Sequence, residues 1–136
     1  EYLTQLDKEM SDKLVDEIEA FVQNELNVKV SEKYAQFTTA KKVEYLKGKL
    51  NRPIRVCGMV KNESEPGGGP FWVKHENGDV SLQIVEASQV DRNLKNQKSI
   101  LTNATHFNPV DIVCSIKDYE GNIFDLQKCL VGMMVY

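Results

Sequence analysis

The sequence changes its hydrophobic period at Pro53. Before this residue, apolar side chains recur every three or four positions, which is the spacing of one face of an α-helix. From Ile54 to Val60, every second residue is Ile, Val or Gly and the run carries few charges, as is typical of a strand. Pro53 also disfavours helical geometry at the residue before it, so a helix cannot run across this point. The sequence therefore predicts a helical segment, residues 1–50, followed by a strand-rich segment, residues 51–136.

Two complete helices are predicted in the helical segment. One spans about residues 11–26, with Ser11 as its N-cap and Asn27 in the left-handed conformation at its end. The other begins at Thr39 and ends by Asn51. The end of a further, incomplete helix is indicated by the apolar residues Tyr2, Leu3 and Leu6.

A β-hairpin is predicted in the strand-rich segment. The strands at 71–74 and 80–86 flank Asn77-Gly78, a pair that favours a two-residue turn because both residues can adopt positive φ. The other expected elements are a short helix capped by Ser88, a strand at 110–116 and, after a turn at 120–122, a strand at 123–126.

Composition restricts the class of protein. Hydrophobic residues make up 41% of the chain and charged residues 27%, which is the balance of a single globular domain. The net charge of −3 provides none of the clustered cations that a nucleic-acid partner requires. The longest apolar run, 129–135, is far shorter than the roughly 20 residues of a membrane span, so no membrane partner is expected. The incomplete first helix and the apolar ending predict a truncated domain.

The cysteines indicate the compartment. Cys57, Cys114 and Cys129 are odd in number and widely spaced, which favours a reducing, cytoplasmic compartment and neither a disulfide framework nor a metal site. The sequence contains no nucleophile motif such as G-x-S-x-G, so the catalytic residues, if there are any, stay unknown.

The loop at 61–70 is the first candidate for a binding site. It contains three consecutive glycines, Gly67–Gly69, and ordering glycine costs the most conformational entropy of any residue. Close approach of the backbone to a ligand would explain such a run: the N–H groups could face an anion or a sugar hydroxyl, with Lys61 at the edge and Trp72 as a stacking surface. The alternative is a mobile surface loop, because the spacing matches no known phosphate-binding motif.

Polar residues at strand ends are the second candidate. Glu86 ends the apolar strand 80–85, and a carboxylate at the end of a strand can accept hydrogen bonds from two hydroxyls of a polyol. His106 and Asn108 precede the next strand and could face the same crevice. The alternatives are a solvated glutamate and an ordinary surface histidine.

Four stretches of the strand-rich segment carry a resemblance to a known family. They are residues 52–63, 65–73, 81–86 and 105–111. With these stretches the chain resembles a bacterial domain-of-unknown-function family (DUF4301-like), most densely over residues 50–126. Full-length members of that family are much longer, so the resemblance implies that the chain is a partial one.

The same part resembles, more distantly, the acceptor-sugar half of UDP-N-acetylhexosamine pyrophosphorylases. In those enzymes a Val-Val-Glu-Tyr-Ser strand end precedes an asparagine that faces the sugar, and here Ile84-Val85-Glu86-Ala87-Ser88 stands at that place. The resemblance implies that Glu86 accepts sugar hydroxyls, that Asn108 contacts the sugar, and that the chain is a fragment of a nucleotidyltransferase-like (GT-A-like) fold. The family's nucleotide-binding loop and magnesium carboxylates have no counterpart here, so magnesium is implied only for a longer parent protein.

The sequence thus predicts an α+β or α/β domain in which the N-terminal helices pack on a mixed sheet of about five strands. The leading hypothesis for its function is the sugar-binding portion of a sugar nucleotidyltransferase-like protein, with a sugar phosphate or a nucleotide sugar as the ligand. The alternative is a non-catalytic protein-interaction or self-association domain, and a homo-oligomer is then expected. In that alternative Phe71, Trp72 and the apolar C-terminus form the contact surface.

Overall fold

The computed structural model describes residues 1–64, 67–109, 111–129 and 134–135. The α-helices are α1 (Tyr2–Leu6), α2 (Asp12–Asn24), α3 (Thr39–Leu50) and α4 (Lys95–Thr102). The strands are β1 (Ile54–Cys57), β2 (Val60–Lys61), β3 (Gly69–Lys74), β4 (Val80–Val85), β5 (His106–Phe107), β6 (Ile112–Ser115) and β7 (Met134–Val135). Short 3₁₀ helices lie at Glu32–Gln36, Ala87–Gln89 and Leu126–Cys129. The fold is therefore α+β.

The predicted helices of the first segment are confirmed. The Ser11 hydroxyl accepts a hydrogen bond from the Leu14 N–H at 3.4 Å, as expected of an N-cap. Asn27 adopts the left-handed conformation, with φ of 52°. The second predicted helix, α3, begins at Thr39 and is capped by Thr38. The start and the end of a helix depend on residues that are adjacent in the sequence, so the sequence alone could locate them.

The helices α1, α2 and α3 pack against one another through their apolar faces. This first hydrophobic cluster consists of Leu6, Val15, Ile18, Val22, Val28, Val43 and Leu46. After α2, Lys29 forms an antiparallel bridge with Val80 of β4. The N-terminal helices therefore pack on one another, and the segment after α2 joins them to the start of β4.

The β3–β4 hairpin is confirmed, but its predicted turn is wrong. The strands pair from Gly69↔Val85 to Lys74↔Val80, and the His75 N–H donates to the Asp79 carbonyl at 2.8 Å. Gly78 has a φ of 90°, whereas Asn77 is not among the residues with positive φ. The turn is thus a longer one with a single left-handed residue, because the Asn77 side chain is bonded to Asp79.

The predicted mixed sheet of about five strands is wrong. All strand pairings among the described residues are antiparallel, and they form three small sheets: β1–β6, β2–β5 and β4–β3–β7. The alternating run at 54–60 does not continue as one strand, because Ile54–Cys57 pair with β6 whereas Val60–Lys61 pair with β5. The predicted strand at 110–116 is confirmed as β6, which spans 112–115.

Two further expectations need correction. The predicted strand at 123–126 is reduced to one isolated bridge, Lys117↔Ile123, across the turn that the sequence predicts. The predicted helix begins not at Ser88 but at Lys95, because Glu86 and Gln89 form a reciprocal capping box around a single 3₁₀ turn.

The second hydrophobic cluster lies under the hairpin. It is formed by Phe71, Val73, Val85 and Val90, and it is covered by Ile100, Leu101 and Ala104 from α4 and the turn after it. Within the described ranges, no helix is long and apolar enough to cross a membrane.

Candidate functional site

The glycine loop packs tightly against its own chain. A Cβ atom placed on Gly68 would lie 2.6 Å from the Oε1 atom of Glu86. A Cβ atom placed on Gly69 would lie 2.9 Å from the carbonyl oxygen of His106. Both distances are shorter than a methyl group allows, so any side chain at either position would force a neighbour to move. The glycine backbone is therefore approached closely by atoms of the chain itself, in β5 and Glu86, whereas the predicted approach to a ligand stays a prediction.

Glu86 lies at the carboxyl end of β4, with its carboxylate exposed beside Gly68. The side chain accepts a hydrogen bond from the Gln89 N–H, and the Gln89 side-chain oxygen accepts one from the Glu86 N–H at 2.8 Å. This capping box holds the carboxylate over the glycine backbone. None of the ion pairs found among the described residues involves Glu86.

Asn108 holds the loop from the inside. Its backbone N–H donates to the Gly68 carbonyl at 2.8 Å, and its side-chain Nδ2 donates to the Gly58 carbonyl at 2.7 Å. The side chain is buried. The structure thus brings Asn108 to the predicted site, with its amide nitrogen bonded to the chain itself rather than turned outward.

Lys61 and His106 lie on the ribbon whose backbone adjoins Gly69. They are directly paired in the β2–β5 ribbon and are both exposed. Directly paired residues project to the same face of a ribbon, so the two side chains share one face. His106 Nδ1 is 2.9 Å from the Thr105 hydroxyl. We call the group formed by Lys61, Gly67–Gly69, Glu86 and His106 the glycine rim.

Trp72 is not part of the glycine rim. Neighbouring residues of a strand point to opposite faces, so Trp72 faces away from the cluster that buries Phe71. The ammonium of Lys29 lies over the Trp72 ring, 4.1 Å from its centroid. Because Phe71 is buried, its predicted place in an exposed contact surface is wrong. The apolar C-terminus of that hypothesis lies mostly outside the described residues.

A buried carboxylate that the sequence analysis missed joins the helices to the hairpin. Asp79 is 0% exposed and accepts hydrogen bonds from the Ser31 N–H at 2.9 Å and the Tyr45 hydroxyl at 2.7 Å. The Lys49 ammonium lies 2.6 Å from its Oδ2 atom. Burial alone would raise the pKa of Asp79, but these donors and the Lys49 charge lower it below its usual value. An aspartate after Asn-Gly looks like an ordinary turn residue, so no sequence signal marks it.

Next to Asp79, His75 and Ser81 form a hydrogen-bonded pair, with 2.7 Å between Nε2 and Oγ. Burial, together with the charges of Lys49 and Arg52, lowers the pKa of His75. A serine and a histidine at this distance could form a nucleophile and its base. Here, however, the Ser81 side chain is buried and also accepts from Gln83, so the pair satisfies a buried hydroxyl.

Comparison with known proteins places the chain in one family. The model of the family described as Domain of unknown function (DUF4301) matches residues 1–134, so the chain belongs to that family. The match includes the helical segment as well as the strands that carried the resemblance. No curated protein and no solved structure matches the chain. The comparisons therefore give no support to the resemblance to UDP-N-acetylhexosamine pyrophosphorylases.

Proposed function

We propose that the glycine rim of this DUF4301 chain binds a sugar phosphate or a nucleotide sugar. In this proposal the chain is the sugar-binding portion of a nucleotidyltransferase-like protein with a GT-A-like fold. The observation that carries the proposal is the position of the Glu86 carboxylate, which is exposed, lies against Gly68 and has no cationic partner among the described ion pairs.

The Glu86 carboxylate is suited to accept hydrogen bonds from hydroxyls. An ionised carboxylate has about four acceptor positions on two oxygens, and the capping bond from Gln89 occupies one of them. The remaining positions can accept from two hydroxyls of one sugar ring. Gly68 is buried and the Glu86 carboxylate fills the space that a side chain there would take, so in this proposal the ring meets the carboxylate from its solvent side.

The β2–β5 ribbon supports the phosphate part of the proposal. Lys61 and His106 present an ammonium and an imidazole on one face, and the His106 carbonyl touches the glycine backbone at Gly69. Charge-assisted hydrogen bonds from such groups are the usual way in which a protein holds a phosphate. In this proposal the sugar hydroxyls meet the Glu86 carboxylate, and the phosphate meets the side chains of Lys61 and His106.

A thermal-shift experiment tests this proposal, because a ligand that binds only the native state raises the melting temperature. The probes are N-acetylglucosamine 1-phosphate and UDP-N-acetylglucosamine. We expect at least one of them to stabilise the wild-type chain and to have a much smaller effect on the Glu86→Gln variant. Glutamine keeps an oxygen for the capping bond and loses the charge. The matched control is Glu76→Gln, an exposed glutamate in the hairpin turn.

If the control loses the shift as strongly as Glu86→Gln, general charge rather than the glycine rim explains binding. If neither probe stabilises the wild-type chain, the proposed ligand class is wrong.

We propose self-association as a second candidate function, on a different surface from the one that the sequence predicted. Val56 and Val113 are directly paired in the β1–β6 ribbon, and they are 69% and 75% exposed. An isolated two-stranded ribbon is only marginally stable in water, and its apolar face favours contact with a second copy of the chain. Arg55, which donates to Gln83 at 2.7 Å, ties this ribbon to the hairpin.

A further inference from the structure

Strand β4 lies at the edge of its three-stranded sheet, which has the order β4–β3–β7. On its outer side the described residues pair with it at Val80 only, where the backbones of Val80 and Lys29 exchange two hydrogen bonds of 2.7 and 2.9 Å. Backbone groups of an antiparallel strand point alternately to one side and to the other. The N–H and C=O groups of Leu82 and Ile84 therefore also point outward, and no residue of the described ranges pairs with them. Pro70, the β3 residue opposite Ile84, has no N–H to donate, in agreement with this direction.

This open edge lacks the features that usually protect an edge strand. Such strands commonly carry a charged residue or a proline, which discourages pairing with another chain. The six residues of β4, VSLQIV, include neither. Leu82 is 45% exposed, and Trp72 lies directly opposite it on the same face of the hairpin. The edge can therefore accept an additional strand, and an apolar side chain of that strand would find apolar neighbours.

Two exposed cations flank the open edge. The Lys29 ammonium lies over the ring of Trp72, on the face of the hairpin that carries Leu82. Neighbouring residues of a strand point to opposite faces, so Gln83 lies on the other face, and there the Arg55 guanidinium donates to its side-chain oxygen at 2.7 Å. Neither cation forms an ion pair with another residue of the described ranges. A strand at this edge would meet one positive charge on each face, and both would attract carboxylates.

We infer that the open edge of β4 binds an extended, acidic peptide segment of a partner protein. The peptide adds a strand to the sheet, and its backbone bonds the outward N–H and C=O groups of Leu82 and Ile84. Its carboxylates lie beside Lys29 and Arg55. The net charge of the chain is −3, so the general charge opposes an acidic ligand and the two local cations provide the preference.

A second copy of the chain fits this edge less well than a separate peptide. Antiparallel pairing of two β4 strands around a two-fold axis at Gln83 would bring the two Arg55 side chains together, and their like charges oppose that contact. The same pairing would place Glu86 of one copy opposite Val80 of the other, where Lys29 already pairs. A separate peptide that ends before Val80 avoids both conflicts.

Fluorescence anisotropy tests this inference on the whole chain. The probe is a labelled seven-residue peptide of alternating valine and glutamate, and its control is the same peptide with lysine in place of glutamate. We expect saturable binding of the glutamate peptide only. Leu82→Pro should weaken that binding about tenfold, because it removes an outward N–H and leaves the hydrogen bonds between β4 and β3 intact. Arg55→Gln should weaken it about threefold, and the matched control is Lys13→Gln, an exposed cation on α2.

The inference is overturned if the glutamate peptide shows no saturable binding, if the lysine peptide binds equally well, or if Lys13→Gln loses as much affinity as Arg55→Gln. It is also overturned if sedimentation velocity shows a wild-type dimer that Leu82→Pro dissociates, because a second copy would then occupy the edge. If Leu82→Pro does not fold, the comparison of Arg55→Gln with Lys13→Gln still decides.

Discussion

The Glu86 carboxylate lies so close to Gly68 that a Cβ atom there would be 2.6 Å from its Oε1. At Gly69 the corresponding distance is 2.9 Å, but the atom approached is the backbone oxygen of His106. The two neighbouring glycines therefore differ in what a methyl group would displace. A glutamate side chain can rotate away, whereas the carbonyl of β5 is held by its strand.

This difference predicts opposite effects of two alanine substitutions. Gly68→Ala should lower the free energy of unfolding by less than about 1 kcal/mol but abolish ligand binding, because Glu86 must leave its place. Gly69→Ala should lower the free energy of unfolding by about 1–3 kcal/mol, because backbone atoms must move. Urea denaturation of both variants measures this difference. Equal destabilisation by the two substitutions would contradict the packing described for the glycine rim.

The buried carboxylate leads to a prediction about stability. Asp79→Ala should lower the free energy of unfolding by about 3–5 kcal/mol, because it leaves the Lys49 ammonium and the Tyr45 hydroxyl without their buried partner. When Asp79→Ala is combined with Lys49→Met, the free energy of unfolding should fall by clearly less than the sum of the decreases caused by the two single substitutions. A double-mutant cycle by chemical denaturation measures this coupling, and strict additivity would show that the pair does not interact.

The same region predicts how stability depends on pH. The pKa of His75 is lowered in the folded state, so the unfolded chain binds its proton first. The stability that His75 provides is complete above the unfolded value of about 6.5 and declines as the pH falls through that value. The pKa of Asp79 is also lowered, so a second decline follows below about pH 4.

Unfolding measured at several pH values separates the two declines. His75→Gln should lose the decline just below pH 6.5 and keep the one below pH 4. His106→Gln, which removes the other histidine of the chain, should retain both. If the wild-type stability does not change between pH 7 and pH 5, the environment described for His75 is wrong.

The exposed ribbon gives a prediction about assembly. If the chain self-associates through β1–β6, sedimentation velocity should show a mass that rises with protein concentration. Val56→Lys should abolish that rise, because it places a charge in the apolar contact. Leu82→Lys is the control, since Leu82 is an exposed apolar residue on a different sheet. A monomer at all concentrations would contradict this second candidate function.

Helix caps and turns, which depend on residues adjacent in the sequence, could be predicted from the sequence. Ser11 caps α2, Asn27 adopts the left-handed conformation, and the chain turns back near Gly78, all as expected. The partners of the strands could not be predicted, because β1 pairs with β6 and β2 with β5 across more than forty residues of sequence. Nothing local to a strand specifies such a partner.

In the candidate site, too, the contacts between residues that are distant in the sequence could not be predicted. The glycine run was interpreted as an approach to a ligand, and no sequence signal indicated that the atoms packed against it would belong to Glu86 and His106. The Asn108 side chain was expected at a crevice and is instead bonded to Gly58. The four donors around Asp79 come from distant parts of the chain as well as from its own turn, so only the folded structure reveals them.

The most direct test of the proposed function is a nuclear magnetic resonance titration with N-acetylglucosamine 1-phosphate, in which the backbone amide signals are followed residue by residue. We predict that the largest changes of chemical shift occur at Gly67–Gly69, Glu86 and His106, with little change along α2. Changes that are absent, or that are largest on α2 or on the β1–β6 ribbon, would contradict the assignment of the glycine rim as the sugar site.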